Sequence, residues 1–257
     1  MNPYLKNLNR IEFVVTLACT GRCIHCSQGE HRNAGQRIDG DAAALALRRI
    51  AENYPIESVM TFGGEPLLYP DVVCSIHAAA REMKIPKRQL ITNGYFSRDA
   101  EKIRSVAAGI AESGVNDILL SVDAFHQETI PLESVKRFAE AVKETGCRLR
   151  TNPAWLVSRQ GDNPYNQKTR EILKELTAMG IEENDGNVIF PEGNALKYLK
   201  DYFEPDTELR SPYEENPEDI RAVSFSPDGS VLNGNLYEQD IRDILEDYDP
   251  KKGRNKG

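Results

Sequence analysis

The chain has 257 residues, of which 40% are hydrophobic and 28% charged, and its net charge is −8 at pH 7. This length suits one large α/β domain or two small ones, and the composition is that of a globular protein. The negative charge argues against a broad nucleic-acid-binding surface, which would need a basic patch. The N-terminal residues lack a signal-peptide pattern, and no stretch approaches the roughly 20 apolar residues of a membrane span. We therefore expect a cytoplasmic protein with no membrane partner.

Short β-branched runs alternate with segments of helical periodicity over the first 200 or so residues. The predicted strands are, in chain order, Ile11–Leu17, Ser58–Phe62, Gln89–Thr92, Asp117–Val122, Arg148–Asn152 and Asn187–Phe190. Glycines at positions 114, 146 and 180 are predicted to end three of the intervening helices. Six βα units imply a parallel sheet with right-handed crossovers, too few strands for a closed eight-stranded barrel. We predict an α/β fold with a partial (β/α)6 TIM-like barrel over residues 1–203, and functional residues on the loops that follow the strands.

The pattern changes from about Asp201 onward. Residues 204–250 are predicted to form a small C-terminal extension that consists of a hairpin and a helix. In the hairpin, Pro227-Asp228-Gly229 turns between residues 222–226 and 230–232. The helix is predicted over Gln239–Tyr248, and residues 251–257 are predicted to be a disordered tail.

Three of the five cysteines, Cys19, Cys23 and Cys26, form a C-x3-C-x2-C cluster directly after the first predicted strand. Few and unevenly placed cysteines are not typical of a disulfide framework, so the cluster indicates a metal site. A zinc site could recruit His25 or His31 as its fourth ligand. However, His25 lies between two proposed ligands, too close for easy chelation of the same ion. A cubane iron–sulfur cluster with one iron left free suits the arrangement better.

A second motif, Gly63-Gly64-Glu65-Pro66, follows the second strand. The two glycines permit a close approach of the backbone to a ligand. Glu65 offers a carboxylate to an amino group, and Pro66 stiffens the turn. Alone this run could be an ordinary βα loop, but its position one strand after the cysteine cluster favours a binding function.

Together these motifs resemble those of the radical SAM superfamily. Three further runs over the span of residues 8–200 add to the resemblance: Thr92-Asn93-Gly94, Ser121-Val122-Asp123 and Pro191-Glu192-Gly193-Asn194-Ala195. The resemblance implies a [4Fe-4S] cluster held by the three cysteines, whose free iron chelates S-adenosylmethionine. It also implies reductive cleavage of that cofactor to methionine and a 5′-deoxyadenosyl radical, which abstracts a hydrogen atom from a substrate.

The resemblance also implies roles for single residues around the cofactor. Gly63, Gly64 and Glu65 are expected to hold the methionine amino group. Ser121 and Asp123 are candidates for contacts to the ribose or the carboxylate.

Residues on later loops complete the expected cofactor site. Asn93 is a further candidate for its lining. Arg150 and Asn152 resemble a polar pair near the methionine carboxylate and ribose, or else are a surface arginine and a strand-end asparagine. His25 holds the position that packs on adenine, or else is a solvent-facing loop histidine. Gly193 is expected to let the sixth-strand backbone approach adenine.

The substrate side is less defined by the sequence. His126, after the fourth strand, could act as an acid/base or a substrate ligand, or could be a packing histidine. Trp155 and Tyr95 could line the pocket or pack in the core. Cys74 and Cys147 are expected to be small buried hydrophobes, and neither is assigned as a hydrogen-atom donor.

Three functional hypotheses remain open. The first is a radical SAM enzyme that acts on a peptide or a small metabolite, with a reductant such as flavodoxin or ferredoxin as its partner. The second is an activating protein for a glycyl-radical enzyme, and the third, of another class, is a zinc-binding interaction module. The C-terminal segment resembles SPASM-type extensions, but Asn233 stands where a cysteine might be expected, so we expect no auxiliary cluster. The sequence leaves the oligomeric state open.

Overall fold

The computed structural model describes residues 2–30, 35–203 and 214–252. In these ranges the strands are β1 (Arg10–Thr16), β2 (Ser58–Gly63), β3 (Lys87–Thr92), β4 (Asp117–Leu120), β5 (Arg148–Thr151), β6 (Ala154–Trp155), β7 (Asn187–Val188), β8 (Ala222–Phe225), β9 (Ser230–Val231) and β10 (Gly234–Asn235). The helices are α1 (Gly40–Ala51), α2 (Pro70–Glu82), α3 (Ala100–Ser113), α4 (Ala124–Gln127), α5 (Leu132–Thr145), α6 (Pro164–Ala178), α7 (Asn194–Tyr198) and α8 (Ile241–Glu246).

The centre of the fold is a six-stranded parallel sheet with the strand order β5-β4-β3-β2-β1-β8. Helices α1, α2, α3 and α5 pack side by side along it and bury their apolar faces in one continuous core. The predicted α/β fold and partial TIM-like barrel are confirmed.

Alternation of side chains along each strand separates the two faces of this sheet. On β1, Ile11, Phe13 and Val15 are fully buried in the hydrophobic core. The strand register places Phe62 and Ile91 on the opposite, inner face near the carboxyl ends of β2 and β3. The inner face at this end of the barrel is therefore available for a site.

The sixth strand of the sheet is not the predicted segment Asn187–Phe190. That segment forms only β7, which pairs with β6 in a separate two-stranded parallel sheet. Strand β6 follows β5 in the chain after an interruption that contains Pro153, which has no N–H to donate to a ladder. The carbonyl of Pro153 still accepts from the N–H of Asn187 at 2.9 Å. The barrel therefore keeps its sixth βα unit, but the ladder is broken there.

In the C-terminal extension, the first arm of the predicted hairpin also joins the main sheet. Strand β8 pairs in parallel with the free edge of β1, and the rings of Phe13 and Phe225 stack with centroids 4.8 Å apart. The turn is present, with the Gly229 N–H donating to the Ser226 carbonyl, but β9 pairs with β10 instead. The alternation of apolar residues that predicted a hairpin strand also suits a barrel strand. Pairing with β1 buries both Val223 and Phe225 completely.

The N-terminal segment contacts the end of α8. The buried side-chain amide of Asn2 donates to the carbonyl oxygens of Leu245, Glu246 and Tyr248 at 3.0, 3.1 and 2.7 Å. Its Oδ1 accepts from the N–H of Tyr4 at 3.0 Å. One side chain thus satisfies the C-terminal carbonyls of α8, the helix that the sequence predicted to be longer.

The division at residue 203 and the disordered tail stay predictions. Residues 204–213 and 253–257 lie outside the described residues, and residues 251–252 form a turn. None of the described helices combines the length and apolar composition that a membrane crossing requires.

We predict that Asn2→Ala lowers the free energy of unfolding by about 1–3 kcal/mol, because it leaves buried carbonyl groups without a donor. Urea unfolding of the apoprotein measures this. Asn53→Ala is the control, since the exposed Asn53 donates only to the Arg49 carbonyl of its own helix end. An equal effect of the two substitutions would contradict the proposed role of Asn2 at the end of α8.

Candidate active site

A cavity of about 270 Å³ lies at the carboxyl ends of the barrel strands. Its walls come from the loop after β1, the ends of β2 to β5, and the segment that contains β6 and β7. The lining residues are Cys19, Gly21, Cys23, His25, Cys26, Ser27, Gln28, Phe62, Gly63, Gly64, Ile91, Thr92, Asn93, Ser121, His126, Asn152, Pro153, Ala154, Asn187, Val188, Ile189 and Phe190.

All three clustered cysteines line this cavity, and none of them forms a disulfide with another described cysteine. The Gly21 N–H of the same loop donates to the Cys19 sulfur at 3.3 Å, and the backbone N–H groups of Gln28 and Gly29 act to lower the pKa of Cys26 against the larger effect of burial. The side-chain amide of Asn93 lies 3.6 Å from the Cys19 sulfur. Such donors stabilise negative charge on sulfur.

Burial raises the pKa of these thiols. The pKa of Cys19 rises to about 11, and those of Cys23 and Cys26 are also raised, in each case mainly because burial disfavours the thiolate. A metal centre that prefers soft sulfur ligands would replace the three thiol protons. Its positive charge would compensate the negative charge of the buried thiolates. Three convergent sulfurs with N–H donors behind them fit an iron–sulfur cluster.

The glycine pair Gly63 and Gly64 brings the end of β2 against the stem of the cysteine loop. The Gly64 N–H donates to the Thr16 carbonyl at 2.7 Å. A Cβ at Gly64 would overlap the carbonyl oxygen of Ala18, and one at Gly63 would overlap that of Thr16. Gly63 also has φ +138°, a conformation that favours glycine. The glycines are required by contact between two strand ends, and both also line the cavity.

Glu65 does not line the cavity, contrary to the expectation of a carboxylate offered to a ligand. The residue is fully buried. Its carboxyl accepts from the Leu67 N–H at 2.9 Å, the Thr92 hydroxyl at 2.7 Å and the Asn93 N–H at 2.8 Å. Pro66 begins the buried turn that presents the Leu67 N–H. The carboxyl of Glu65 therefore connects the loops after β2 and β3.

Three predicted polar residues reach the inner wall. Asn93, Ser121 and Asn152 follow β3, β4 and β5 and all line the cavity. Backbone bonds align these strand ends: the Ser121 N–H donates to the Thr92 carbonyl at 2.8 Å, and the Asn152 N–H to the Leu120 carbonyl at 2.7 Å. The structure thus brings these residues together with the cysteine loop.

Asp123, expected as a candidate for ribose or carboxylate contacts, is fully buried and does not line the cavity. It accepts from the N–H and Nδ1 of His126 at 2.9 and 2.8 Å and from the Ala154 N–H at 2.9 Å. Burial opposes ionisation, but the interactions with His126 outweigh it and hold the pKa of Asp123 at about 2. Asp123 therefore fixes His126, which does line the cavity.

His25 also lines the cavity and packs beside His126. Its ring centroid is 5.0 Å from Phe125 and 4.8 Å from His126. Burial lowers the pKa of His25 to about 4, with a smaller effect of the His126 charge in the same direction. His25 is partly buried in the cavity wall, and its ring is neutral near pH 7.

Arg150 and Gly193 lie elsewhere than expected. The guanidinium of Arg150 makes two hydrogen bonds to the Asp117 carboxylate, at 3.0 and 2.7 Å, below the cavity. Gly193, with φ +54°, packs against the cysteine loop: a Cβ there would overlap the Ser27 carbonyl. Neither residue lines the cavity. The Arg150 side chain is held by its ion pair with Asp117. Gly193 allows its own loop to contact the cysteine loop.

The other sequence candidates are accounted for by packing. Trp155 is buried and donates to the Asp185 carbonyl, and Tyr95 accepts from Arg98, both outside the cavity. Cys74 and Cys147 are partly buried and also lie outside it, and His31 lies outside the described residues.

Sequence reasoning missed Asn194. Its N–H donates to the Cys26 carbonyl at 2.9 Å and its side chain to the Cys23 carbonyl at 3.1 Å. The signal in the sequence was the position of Asn194 directly after Gly193, in the motif that follows β7.

We predict that Gly64→Ala displaces the stem of the cysteine loop, because the new methyl group overlaps the Ala18 carbonyl. The expected cost is at least about 2 kcal/mol of unfolding free energy, together with reduced iron binding after anaerobic reconstitution. Gly109→Ala is the matched control, since nothing lies within 4 Å of the position that its new methyl group would take on α3. There the exchange should stabilise the helix by up to about 1 kcal/mol. Normal iron binding by Gly64→Ala would contradict this account.

Glu65 gives the apoprotein a defined pH dependence. Burial raises the pKa of its carboxyl from 4.5 to about 7, against the opposing effect of its three donors. The unfolded chain therefore releases this proton first, and stability falls as the pH rises from 4.5 to 7. The shift corresponds to on the order of 3 kcal/mol. Urea unfolding across this range should show a shallower slope for Glu65→Gln, while Glu57→Gln, at an exposed position, should keep the wild-type slope. A wild-type slope in Glu65→Gln would show that another group causes it.

Comparison with known proteins identifies the family. The model of the radical SAM superfamily matches residues 13–191. Among curated proteins, the chain is 22% identical over 123 residues to a probable GTP 3′,8-cyclase of Methanocaldococcus jannaschii, covering 48% of this chain and 39% of the relative. It is 24% identical over 215 residues to one of Saccharolobus islandicus, covering 77% and 66%. It is 34% identical over 126 residues to the GTP 3′,8-cyclase of Mycobacterium marinum, covering 48% and 33%. The chain thus spans less than two thirds of the length of these relatives.

Solved structures show the same fold. Native anSMEcpe with bound AdoMet superposes with a TM-score of 0.58 at 13% identity, covering 95% of this chain and 82% of the other. BtrN in complex with AdoMet and 2-DOIA gives a TM-score of 0.50 at 16% identity, covering 96% and 85%. Because the family model covers more than half of the chain, this protein belongs to the radical SAM superfamily, whose enzymes use a [4Fe-4S] cluster and S-adenosylmethionine.

Proposed function

We propose that Cys19, Cys23 and Cys26 hold the [4Fe-4S] cluster and that the adjoining cavity binds S-adenosylmethionine. When bound, these groups supply a one-electron cleavage that yields methionine and a 5′-deoxyadenosyl radical for hydrogen abstraction from a substrate. The observation that carries the proposal is that the three cysteines and the glycine turn Gly63–Gly64 all line one cavity.

The protein's own contribution begins with the cysteine loop. The N–H donors from Gly21, Gln28 and Gly29 favour the thiolate form of the ligands and tune the potential of a cluster bound there. At the glycine turn, we assign recognition of the methionine amino group to the backbone of Gly63 and Gly64, because the Glu65 carboxyl is already used by three donors. Asn93, Ser121 and Asn152 supply neutral polar contacts on the wall.

We assign proton handling to His126. Its Nδ1 is held by the buried carboxylate of Asp123, which favours the tautomer with the proton on Nδ1. In that neutral tautomer the other ring nitrogen, Nε2, is an acceptor, and His126 lines the cavity. Asp123 is the positioning residue, and His126 is the candidate acid/base.

The lining of the cavity limits the substrate. Among the lining residues that the structure describes, none is Lys, Arg, Asp or Glu. A triphosphate is normally held by basic groups, so this wall does not favour GTP, which the curated relatives are named for. A peptide segment or a small neutral metabolite fits the lining better. The family also needs an electron donor, for which we propose a flavodoxin or ferredoxin, and the exposed Gln28 and half-buried Cys26 leave the loop within reach of one.

The cofactor assignment is tested by exchanging cysteines. Anaerobically reconstituted wild-type protein should bind about four irons per chain and, with dithionite and S-adenosylmethionine, release 5′-deoxyadenosine. Cys26→Ala should lose the iron and the release. Cys74→Ala is the matched control, because Cys74 is a free thiol on α2 outside the cavity. A zinc-loaded protein without iron, or iron kept in Cys26→Ala and lost in Cys74→Ala, would overturn the proposal.

A further inference from the structure

A second cavity, of about 690 Å³, lies outside the cofactor cavity. The two cavities share no lining residue. They lie on opposite faces of β6, because successive side chains of a strand point to opposite sides: Ala154 lines the cofactor cavity and Trp155 lines the second cavity. The volume of the second cavity is in the range of sites that bind small organic molecules.

Three basic side chains line the second cavity, although the chain as a whole has a net charge of −8. One of them, Arg159, is compensated, since its guanidinium pairs with the carboxylates of Glu183, at 2.7 Å, and Asp185. The other two, Arg170 and Lys174, make no ion pair with a carboxylate in the described ranges of the chain. Two positive charges at this cavity therefore lack a counter-charge from the described protein.

The two uncompensated cations are neighbours. Arg170 and Lys174 lie four residues apart, one turn of α6. Like charges at this spacing repel each other, and an anion bound between them would remove the repulsion. Two adjacent cations match the charge of a phosphate dianion better than that of one carboxylate. Gln160 and Thr177, which also line the cavity, have side chains that can bond to further phosphate oxygens.

The guanidinium of Arg170 is held in place before any ligand binds. Its Nη2 donates to the carbonyl oxygens of Arg159 and Gly161, both at 3.0 Å. Its central carbon lies 5.9 Å from the centroid of the Trp155 ring, as does that of Arg159. The Nε and Nη1 groups of Arg170 make no hydrogen bond to the described residues and remain available as donors. A charged donor fixed in this way loses little conformational entropy when an anion binds.

The loop between β6 and α6, which forms one wall of the second cavity, is also fixed by the protein. The fully buried side chain of Asn166 accepts from the Leu156 N–H at 2.9 Å. It donates to the carbonyl oxygens of Leu156, Ser158 and Gly161 at 3.1, 2.8 and 3.1 Å. These bonds fix the backbone on both sides of Val157, whose φ of +65° is unusual for a β-branched residue. The wall of the cavity therefore exists without a ligand.

The size of the second cavity indicates more than an inorganic ion. A phosphate group fills only a small part of about 690 Å³. Trp155 and Leu173, both buried, form an apolar floor beside the two cations. A ligand that combines a phosphate with an organic body would occupy both parts of this lining.

We propose that the second cavity binds a phosphate monoester of a small molecule. The phosphate lies between Arg170 and Lys174, and the organic part lies over Trp155 and Leu173. This site is separate from the cofactor cavity, and the inference does not depend on the proposed radical SAM reaction.

The chain contains its own probe for this site. Trp155 is the one tryptophan of the sequence, so tryptophan fluorescence reports directly on the second cavity. The reconstituted full chain is titrated with butyl phosphate at about pH 8, where phosphate esters are dianions. We expect a saturable change in the emission. Inorganic phosphate, which lacks the organic part, and pentanoate, which has a similar chain but a single charge, should both bind more weakly at the same ionic strength. Equal affinity for either of them, or no response to butyl phosphate, would overturn the inference.

A pair of variants on α6 tests the position of the phosphate. Lys174→Gln removes one of the two uncompensated charges, and we expect the dissociation constant of butyl phosphate to rise about tenfold, the lower end of the value of a charge-assisted hydrogen bond. Lys168→Gln is the matched control, since Lys168 is exposed on the same helix, pairs with Glu171 at 3.1 Å and does not line the cavity. It lies about 9 Å further along the helix, beyond the screening length of about 8 Å at physiological ionic strength.

The control should therefore keep the dissociation constant of the wild type. Both lysines are exposed, so neither exchange disturbs the core. An equal rise in the two variants would show a general effect of charge and would overturn the inference, as would unchanged affinity in Lys174→Gln.

Discussion

The arrangement of the site depends on the buried carboxyl of Glu65 and the two glycines before it. The Glu65 N–H donates to the Ala18 carbonyl at 2.7 Å, next to the first cysteine, while the side chain binds Thr92 and Asn93 after β3. One residue thus joins the ends of three neighbouring strands. Since a buried acceptor is costly without donors, these bonds must form together. The position of the cysteine loop is a consequence of the sheet and not of the loop alone.

The cysteine loop is supported from the other side by the segment after β7. Gly193 lets this segment lie on the loop, and Asn194 donates to the carbonyls of Cys23 and Cys26. One support comes from the centre of the main sheet, after β2, and the other from the segment that follows β7 in the separate two-stranded sheet. A loop bound at both sides can present three thiols in a fixed arrangement before any metal is present, which reduces the entropic cost of assembling the site.

Sequence motifs located this site better than they assigned its side chains. Spacing and order sufficed for the cysteines and the glycine turn, since both depend on local backbone. The side chains of Glu65 and Asp123 are buried in the protein because donors from other strands bind them, such as the Ala154 N–H that binds Asp123. No local sequence pattern encodes such donors. The pair of Arg150 and Asp117 depends on the register of β4 and β5. The parallel pairing of β8 with β1 was not predictable either, because an alternating apolar pattern fits both a hairpin and a barrel edge.

The two aspartates Asp117 and Asp123 in the barrel interior both have partners within the protein. Asp117 faces Arg150 below the cavity, and Asp123 is covered by its bonds to His126 and Ala154. Each carboxylate is satisfied by the protein, so the described wall presents neutral groups to whatever binds. In a low-dielectric cavity an uncompensated charge on the wall would interact strongly with a charged cofactor and disturb its placement. A neutral wall leaves the charges of the cluster and of S-adenosylmethionine to pair with each other.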